Sequence, residues 1–67
     1  MSVARITTVS ANSKTSFEDA IKEGIDRSNK TLRNVTGAWV KEQKVEINDG
    51  AVVAWHVVLE VTFILEG

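Results

Sequence analysis

Residues 51–65 constrain the fold more than any other part of the chain, because apolar positions alternate along them with positions that are apolar in some cases and polar in others. Every odd position from Val53 to Leu65 is apolar, whereas the even positions include His56 and Glu60. An alternation with a period of two is typical of a β-strand that buries one face. The segment is also about twice as long as an average strand. It therefore predicts a long strand whose odd face covers a helix and whose even face is directed elsewhere.

A second strand precedes this one and is joined to it by a hairpin. Residues 38–48 are strand-like in composition, and Asn-Asp-Gly at positions 48–50 separates them from the last strand. A Gly that follows Asp is among the strongest short hairpin signals, so we expect the two strands to pair antiparallel. The apolar parity in residues 38–40 is opposite to that in residues 45–47, which predicts a β-bulge within residues 41–44.

The first half of the chain predicts one strand and one helix. β-branched residues between Val3 and Ser10 favour a strand, which we expect to end at the polar cluster of residues 11–14. Thr15-Ser16-Phe17-Glu18 matches a capping box, and apolar residues then recur at steps of three and four as far as Val35. This spacing predicts an amphipathic helix of about five turns. Gly24 is expected to let that helix lie close to the sheet.

The predicted fold class is α+β, with the order β-α-β-β and a three-stranded antiparallel sheet wrapped around one helix, in a single domain of residues 1–67. A domain of 67 residues buries only about 60% of the surface that its unfolded chain exposes. Small scaffolds are usually supported by disulfides, a metal or association, and this chain has no Cys and one His. We therefore expect a homo-oligomer, in which a partner subunit covers the long edge of the last strand.

Composition and motifs argue against several classes of function. Eight basic residues nearly balance nine acidic ones, so no basic field is expected to hold nucleic acid or a membrane surface. No segment has the apolar length of a membrane span, and the N-terminus lacks the layout of a signal peptide. We expect a soluble, cytoplasmic protein. Without a catalytic triad order, a Gly-rich phosphate loop or a convergent acid pair, we do not expect an enzyme.

Three segments, taken together with the order of elements, give the chain a resemblance to a known family. They are Ser16-Phe17-Glu18-Asp19-Ala20 at the start of the helix, Lys30-Thr31-Leu32-Arg33-Asn34 at its end, and residues 57–66 in the last strand. Over nearly its whole length the chain resembles the dodecins. The resemblance implies a hollow homododecamer in which each helix lies outside and each sheet faces inward. It also implies that flavins, riboflavin or FMN, are stored or buffered in pairs between Trp side chains at subunit contacts.

The resemblance places the candidate cofactor-binding residues at Gly37, Trp39 and His56. The stacking Trp of the family falls on Gly37, and Trp39 stands two positions later, on the same side of a regular strand. The Gln that the family uses at the isoalloxazine edge falls on His56, and a basic residue near the flavin phosphate falls on Ile64. The resemblance thus implies that Trp39 stacks on the flavin and that His56 assists across a subunit contact, on an even face that lines the interior.

Two alternatives remain open at this stage. One branch of the family lacks the stacking Trp and is described as binding calcium or no flavin, and Glu42-Gln43 is similar to that branch. Several carboxylates could then contribute oxygen ligands across subunits, although none matches an EF-hand loop and a solvated surface is the other interpretation: Glu42, Glu46, Asp49, Glu60 and Glu66. Trp39 and His56 could instead be interface residues, since Trp is enriched at protein contacts. Trp55 has the apolar parity and is expected in the core.

Overall fold

The computed structural model describes residues 3–65 and contains one helix and three strands. The strands are β1 (Val3–Ser13), β2 (Val35–Asn48) and β3 (Ala51–Leu65), and the helix α1 (Phe17–Thr31) follows β1. The strands form one antiparallel sheet in the order β1-β3-β2. The predicted β-α-β-β order and the three-stranded antiparallel sheet are confirmed. Among the described residues, no helix has the length and apolarity needed to span a bilayer.

Strand β3 lies at the centre of the sheet, so both of its edges are paired within the subunit. The expectation that β3 leaves a long edge for a partner is therefore wrong, and the free edges belong to β1 and β2. Strand β1 also continues past its predicted end at Ser10 as far as Ser13. Its polar end is compatible with a strand because Asn12 pairs with His56, on the sheet face that carries mixed residues.

The pairing of β2 with β3 is interrupted at three places. The register shifts between Val35 and Gly37, between Val40 and Glu42, and between Glu46 and Ile47. The middle shift lies where opposite parities predicted a bulge, and its extra residue on β2 is Lys41. The other two shifts were not predicted. Each extra residue in a bulge bends the strand and changes which side chains share a face.

A two-residue turn joins β2 to β3. Asn48 pairs with Ala51, and the two residues between them have positive φ angles, 51° for Asp49 and 76° for Gly50. Positive φ at both positions defines the type I′ turn, whose twist matches that of the flanking strands. The hairpin predicted from the Asp-Gly pair is confirmed.

Helix α1 begins one residue later than the predicted capping box requires. Ser16, not Thr15, is the N-cap, and its Oγ accepts from the backbone N–H of Asp19 at 3.0 Å. The Asp19 carboxylate in turn accepts from Ser13 Oγ at 2.7 Å. The acidic residue three positions after the cap therefore ties the helix to the end of β1, and Glu18 has no such role.

The helix also ends before its predicted limit at Val35. It stops at Thr31, and the backbone N–H of Leu32 closes the last turn by donating to the Ser28 carbonyl at 2.8 Å. Leu32 has extended backbone and Asn34 has a φ of 59°, so the chain turns back into β2. Its length is 15 residues, about four turns rather than five.

The core lies where α1 crosses the middle of β3. Its buried apolar residues are Ala20, Val57, Leu59 and Val61, so the odd face of β3 covers the helix as predicted. Gly24 permits the contact, because a Cβ there would lie 2.9 Å from Leu59 Cδ1, closer than side chains approach one another. The predicted close approach is confirmed.

The helix leaves much of the sheet uncovered. It packs on β1 and β3 and barely reaches β2, so nearly all of β2 is exposed, including Ile47 at 62%. Trp55, predicted in the core, is only half-buried and lies outside the buried cluster. It pairs with Ser13, where β1 ends and the helix has not yet begun, so little of the chain is available to cover it.

Candidate functional site

The sheet face away from α1, called the open face below, carries the candidate site residues. Because Val57, Leu59 and Val61 point to the helix, the even residues of β3 and their cross-strand partners point the other way. The open face so defined includes Asn12 and Thr8 of β1, the β2 residues Gly37, Trp39, Glu42, Lys44 and Glu46, and the β3 residues His56, Val58, Glu60 and Thr62.

Trp39 is an exposed aromatic side chain near the middle of this face. It lies opposite Glu60, and Gly37 lies opposite Thr62. No register shift falls between Gly37 and Trp39, so the two positions share the open face, about 6–7 Å apart along the strand. The Trp39 residue is 62% exposed, and a Cβ at Gly37 would meet nothing within 4 Å. This part of the face is therefore open to a flat ligand or to another protein surface.

An ion pair lies beside Trp39. Lys41 Nζ is 3.7 Å from Glu60 Oε1, with side chains 53% and 31% exposed, respectively. Lys41 reaches Glu60 because it is the extra residue of the middle bulge, next to the pairing of Trp39 with Glu60. An indole, an ammonium and a carboxylate therefore stand together on the open face.

His56 lies further along the same face and has its own partner. Its Nε2 is 3.2 Å from Glu46 Oε2, and it pairs with Lys44 across the strands. Glu60 follows His56 by four positions on β3, a distance of about 13 Å. Within one subunit the structure thus puts Trp39 and His56 on one face but does not bring them together. A shallow hollow of about 310 Å³ adjoins His56 and includes Val58 and Glu42.

Sequence reasoning missed three of the groups that stand next to the candidate residues: Lys41, Lys44 and Glu46. The two lysines were not singled out, and Glu46 was considered only as a calcium ligand. Counting back from the two-residue turn places Gln43 opposite His56, but the register shift between Glu46 and Ile47 puts Lys44 there instead. The bulges break that count, so the pairing of Lys41 with Glu60 had no signal in the sequence.

The carboxylates considered as calcium ligands do not converge within the described part of the chain. Between residues 3 and 65, no group of three His, Cys, Asp or Glu side chains is placed to hold a metal ion. Glu46 is paired with His56 and Glu60 with Lys41, while Glu66 lies outside the described residues. Any calcium site on the open face would therefore take ligands from more than one subunit.

Comparison with known proteins gives one family. The Dodecin family model matches residues 3–66. No significant match is found among curated proteins. A dodecin from Streptomyces davaonensis is 32% identical, with coverage of 98% of this chain and 97% of that one and a TM-score of 0.92. A mutant dodecin from T. thermophilus is 34% identical, with full coverage of both chains and a TM-score of 0.93.

A third similar structure is named for binding calcium. It is the calcium-chelating immunodominant antigen calcium dodecin of Mycobacterium tuberculosis, 26% identical to this chain. The alignment covers 96% of this chain and 91% of that one, with a TM-score of 0.81. The family match and the shared fold confirm the resemblance that the helix ends and the last strand indicated. This chain belongs to the dodecin family.

Proposed function

We propose that twelve copies of this chain assemble into a hollow shell that binds and stores a flavin, riboflavin or FMN, by aromatic stacking at subunit contacts. The observation that carries the proposal is the 62% exposure of Trp39 on the open face. Aromatic side chains of this size bury 150–250 Å² each when covered, so an exposed indole offers a platform for a flat ring. Gly37 leaves space beside it.

Storage rather than turnover is what this site supports. Two pairs of polar side chains on the open face lie close together, Lys41 with Glu60 and His56 with Glu46. Such pairs can position a ligand through hydrogen bonds. In the proposed shell His56 assists from a neighbouring subunit, because it is too far from Trp39 within its own.

Flavin fluorescence tests the proposed ligand. We expect purified protein to quench the emission of riboflavin or FMN saturably, because an indole stacked on isoalloxazine quenches its excited state. Trp39→Ala should weaken binding about 10- to 100-fold, the range that loss of one aromatic stacking partner gives. Trp55→Phe is the matched control, since it removes the other indole and leaves Trp39 in place. Unchanged emission at micromolar protein would refute flavin binding.

A rescue variant separates loss of stacking from damage to the sheet. Gly37→Trp, made in the Trp39→Ala background, puts an indole back on the open face where a Cβ meets no neighbour. We expect it to restore quenching at least in part. If Trp39→Ala keeps full affinity, Trp39 is an interface residue and not the stacking platform.

The mass of the particle in solution tests the proposed assembly. The exposed apolar side chains of β2, Val40 and Ile47 among them, support association, because a partner subunit would remove them from water. We expect light scattering or native mass spectrometry to give about twelve times the 7.4 kDa of one chain. A mass near that of one chain at working concentration would rule out the shell.

A calcium-binding or purely structural shell is the alternative, and the name of the M. tuberculosis relative favours it. Calcium takes six to eight oxygen ligands, and Glu42 and Glu46 on the open face could supply some of them from several subunits. Calorimetric titration with Ca²⁺ distinguishes the two proposals. Heat of binding together with unquenched flavin would favour the alternative.

A further inference from the structure

We propose that the turn between β2 and β3 is a site of spontaneous covalent modification, at which Asp49 converts to isoaspartate when the end of the hairpin opens. Residues 47–53 are called the hairpin tip below. The closed turn blocks the reaction, so its rate follows the fraction of time for which the tip is open. The site is separate from the open face near Trp39 and does not depend on which ligand binds there.

The reaction uses the Asp49 carboxyl group, the next peptide bond and water. The backbone nitrogen of Gly50 attacks Cγ of the protonated carboxyl group. A C–N bond forms, the bond from Cγ to the hydroxyl oxygen breaks, and this hydroxyl leaves as water with the amide proton. Water then opens the resulting cyclic imide. Attack at the side-chain carbonyl restores Asp49, whereas attack at the main-chain carbonyl leaves the chain connected through Cβ and Cγ as isoaspartate.

Both reacting groups are accessible in this subunit. Asp49 and Gly50 are exposed, and the attacking nitrogen belongs to a glycine, which has no side chain to shield it. A Cβ built at Gly50 would meet nothing within 4 Å. Water and the Asp49 carboxyl group can therefore both approach this peptide bond.

The closed turn nevertheless holds the two reacting atoms apart. With φ angles of 51° at Asp49 and 76° at Gly50, the turn is of type I′, in which the first residue has a ψ of about +30°. At this ψ the Gly50 nitrogen lies across the Asp49 Cα–C bond from Cβ. A five-membered ring needs that nitrogen and Cβ on the same side. Asp49 must therefore rotate about ψ before the ring can close, which breaks the turn.

The hairpin tip can open without disturbing the core. Only two cross-strand pairs, Asn48 with Ala51 and Ile47 with Val52, lie between the turn and a register shift at which Val53 is the extra residue of β3. Ile47 is 62% exposed, and Val52 and Val53 are each 42% exposed. Opening the tip therefore uncovers little apolar surface that was buried within the subunit. Segments with few buried contacts open locally, at a smaller cost in free energy than global unfolding.

Conversion to isoaspartate prevents the tip from closing again in the same way. The backbone of isoaspartate passes through Cβ and Cγ and is one carbon longer than that of Asp49. A two-residue type I′ turn is defined by the dihedral angles of both residues, so the longer backbone does not fit it. The pairs at the tip are lost, and the exposed apolar side chains there lose their fixed positions.

Incubation of the assembled protein at neutral pH tests this inference. Isoaspartate at position 49 is measured over time by peptide mapping, in buffer and in guanidinium chloride. We expect the folded protein to convert roughly 2- to 30-fold more slowly than the unfolded chain, the range that two cross-strand pairs give. Asp49→Gly keeps a sequence that suits a type I′ turn and should yield no isoaspartate at this position. Asp26, in the middle of α1, is the internal control and should not convert in the folded protein.

A core variant separates local from global opening. Leu59→Val removes one buried methylene and should increase the fraction of globally unfolded chains roughly 2- to 10-fold. We expect it to convert at the rate of the parent, because the tip opens independently of the core. A rate in Leu59→Val that rises with its loss of global stability would overturn the local opening. Equal rates in buffer and in guanidinium chloride, or no conversion of the folded protein once the unfolded chain has converted, would also overturn the inference.

Discussion

Leu59→Ala is expected to unfold the subunit at room temperature or to leave it barely folded. Leu59 is fully buried at the centre of β3, between Val57 and Val61 in the core. Truncation of a buried Leu costs about 2–5 kcal/mol, and a core in a chain of this size rarely supplies more than about 3–5 kcal/mol. The free energy of unfolding should be measured by urea titration at a fixed protein concentration, since association adds stability that depends on concentration.

Leu65→Ala is the matched control for this experiment. It makes the same chemical change in the same strand, but Leu65 is 43% exposed. We expect it to lower the free energy of unfolding by less than about 1 kcal/mol, as for substitutions outside the core. If Leu59→Ala costs no more than Leu65→Ala, the core is not centred under the helix as described.

Gly24→Val is expected to have the second largest effect on stability. A Cβ at this position would already lie 2.9 Å from Leu59 Cδ1 and 3.3 Å from Ala11 Cβ, and Val adds two further methyl groups. Overpacking of a core costs about 1–3 kcal/mol, and the helix cannot move away without uncovering β3. We expect loss of the cooperative urea transition, or a midpoint far below that of the parent.

Gly24→Ala combined with Leu59→Val shows whether that contact is the cause, because Val lacks the Cδ1 methyl group and costs the core less than Ala does. In the parent, the gain of about 1 kcal/mol in helix propensity is opposed by the close contact. In the Leu59→Val background the contact with Leu59 Cδ1 is gone, so Gly24→Ala should be more favourable than in the parent. Gly37→Ala is the control, because its Cβ meets nothing. If the effects of Gly24→Ala and Leu59→Val simply add, the two positions are not coupled.

Strand β3 could be predicted to its ends, Ala51 and Leu65, because alternation and the Asp-Gly turn are both local signals. Its central place in the sheet could not, since alternation shows that a strand buries one face but not which strands flank it. The predicted helix was too long for a related reason. Leu32 and Val35 keep the helical spacing and pack against the core, but they do so from the connection to β2 and from β2 itself.

The candidate site, like the fold, could be predicted from the sequence only in part. The shared face of Gly37 and Trp39 follows from their spacing and required only that the strand be regular between them. The neighbours of Trp39 could not be inferred, because opposing parities located a bulge within residues 41–44 without indicating that Lys41 is the extra residue. Trp55 was expected in the core from parity alone, which carries no information about how far along β3 the helix reaches.

The uncovered part of the sheet is a consequence of backbone geometry rather than of particular side chains. Helix α1 and strand β3 each have 15 residues, yet a helix rises about 1.5 Å per residue and a strand about 3.3 Å. The helix therefore spans about 22 Å of a strand that is about 50 Å long. Some 33 helical residues would be needed to cover it. Substitutions can change what packs on the part of β3 that α1 does not reach. Only a longer helix or a shorter strand would allow the helix to cover all of β3.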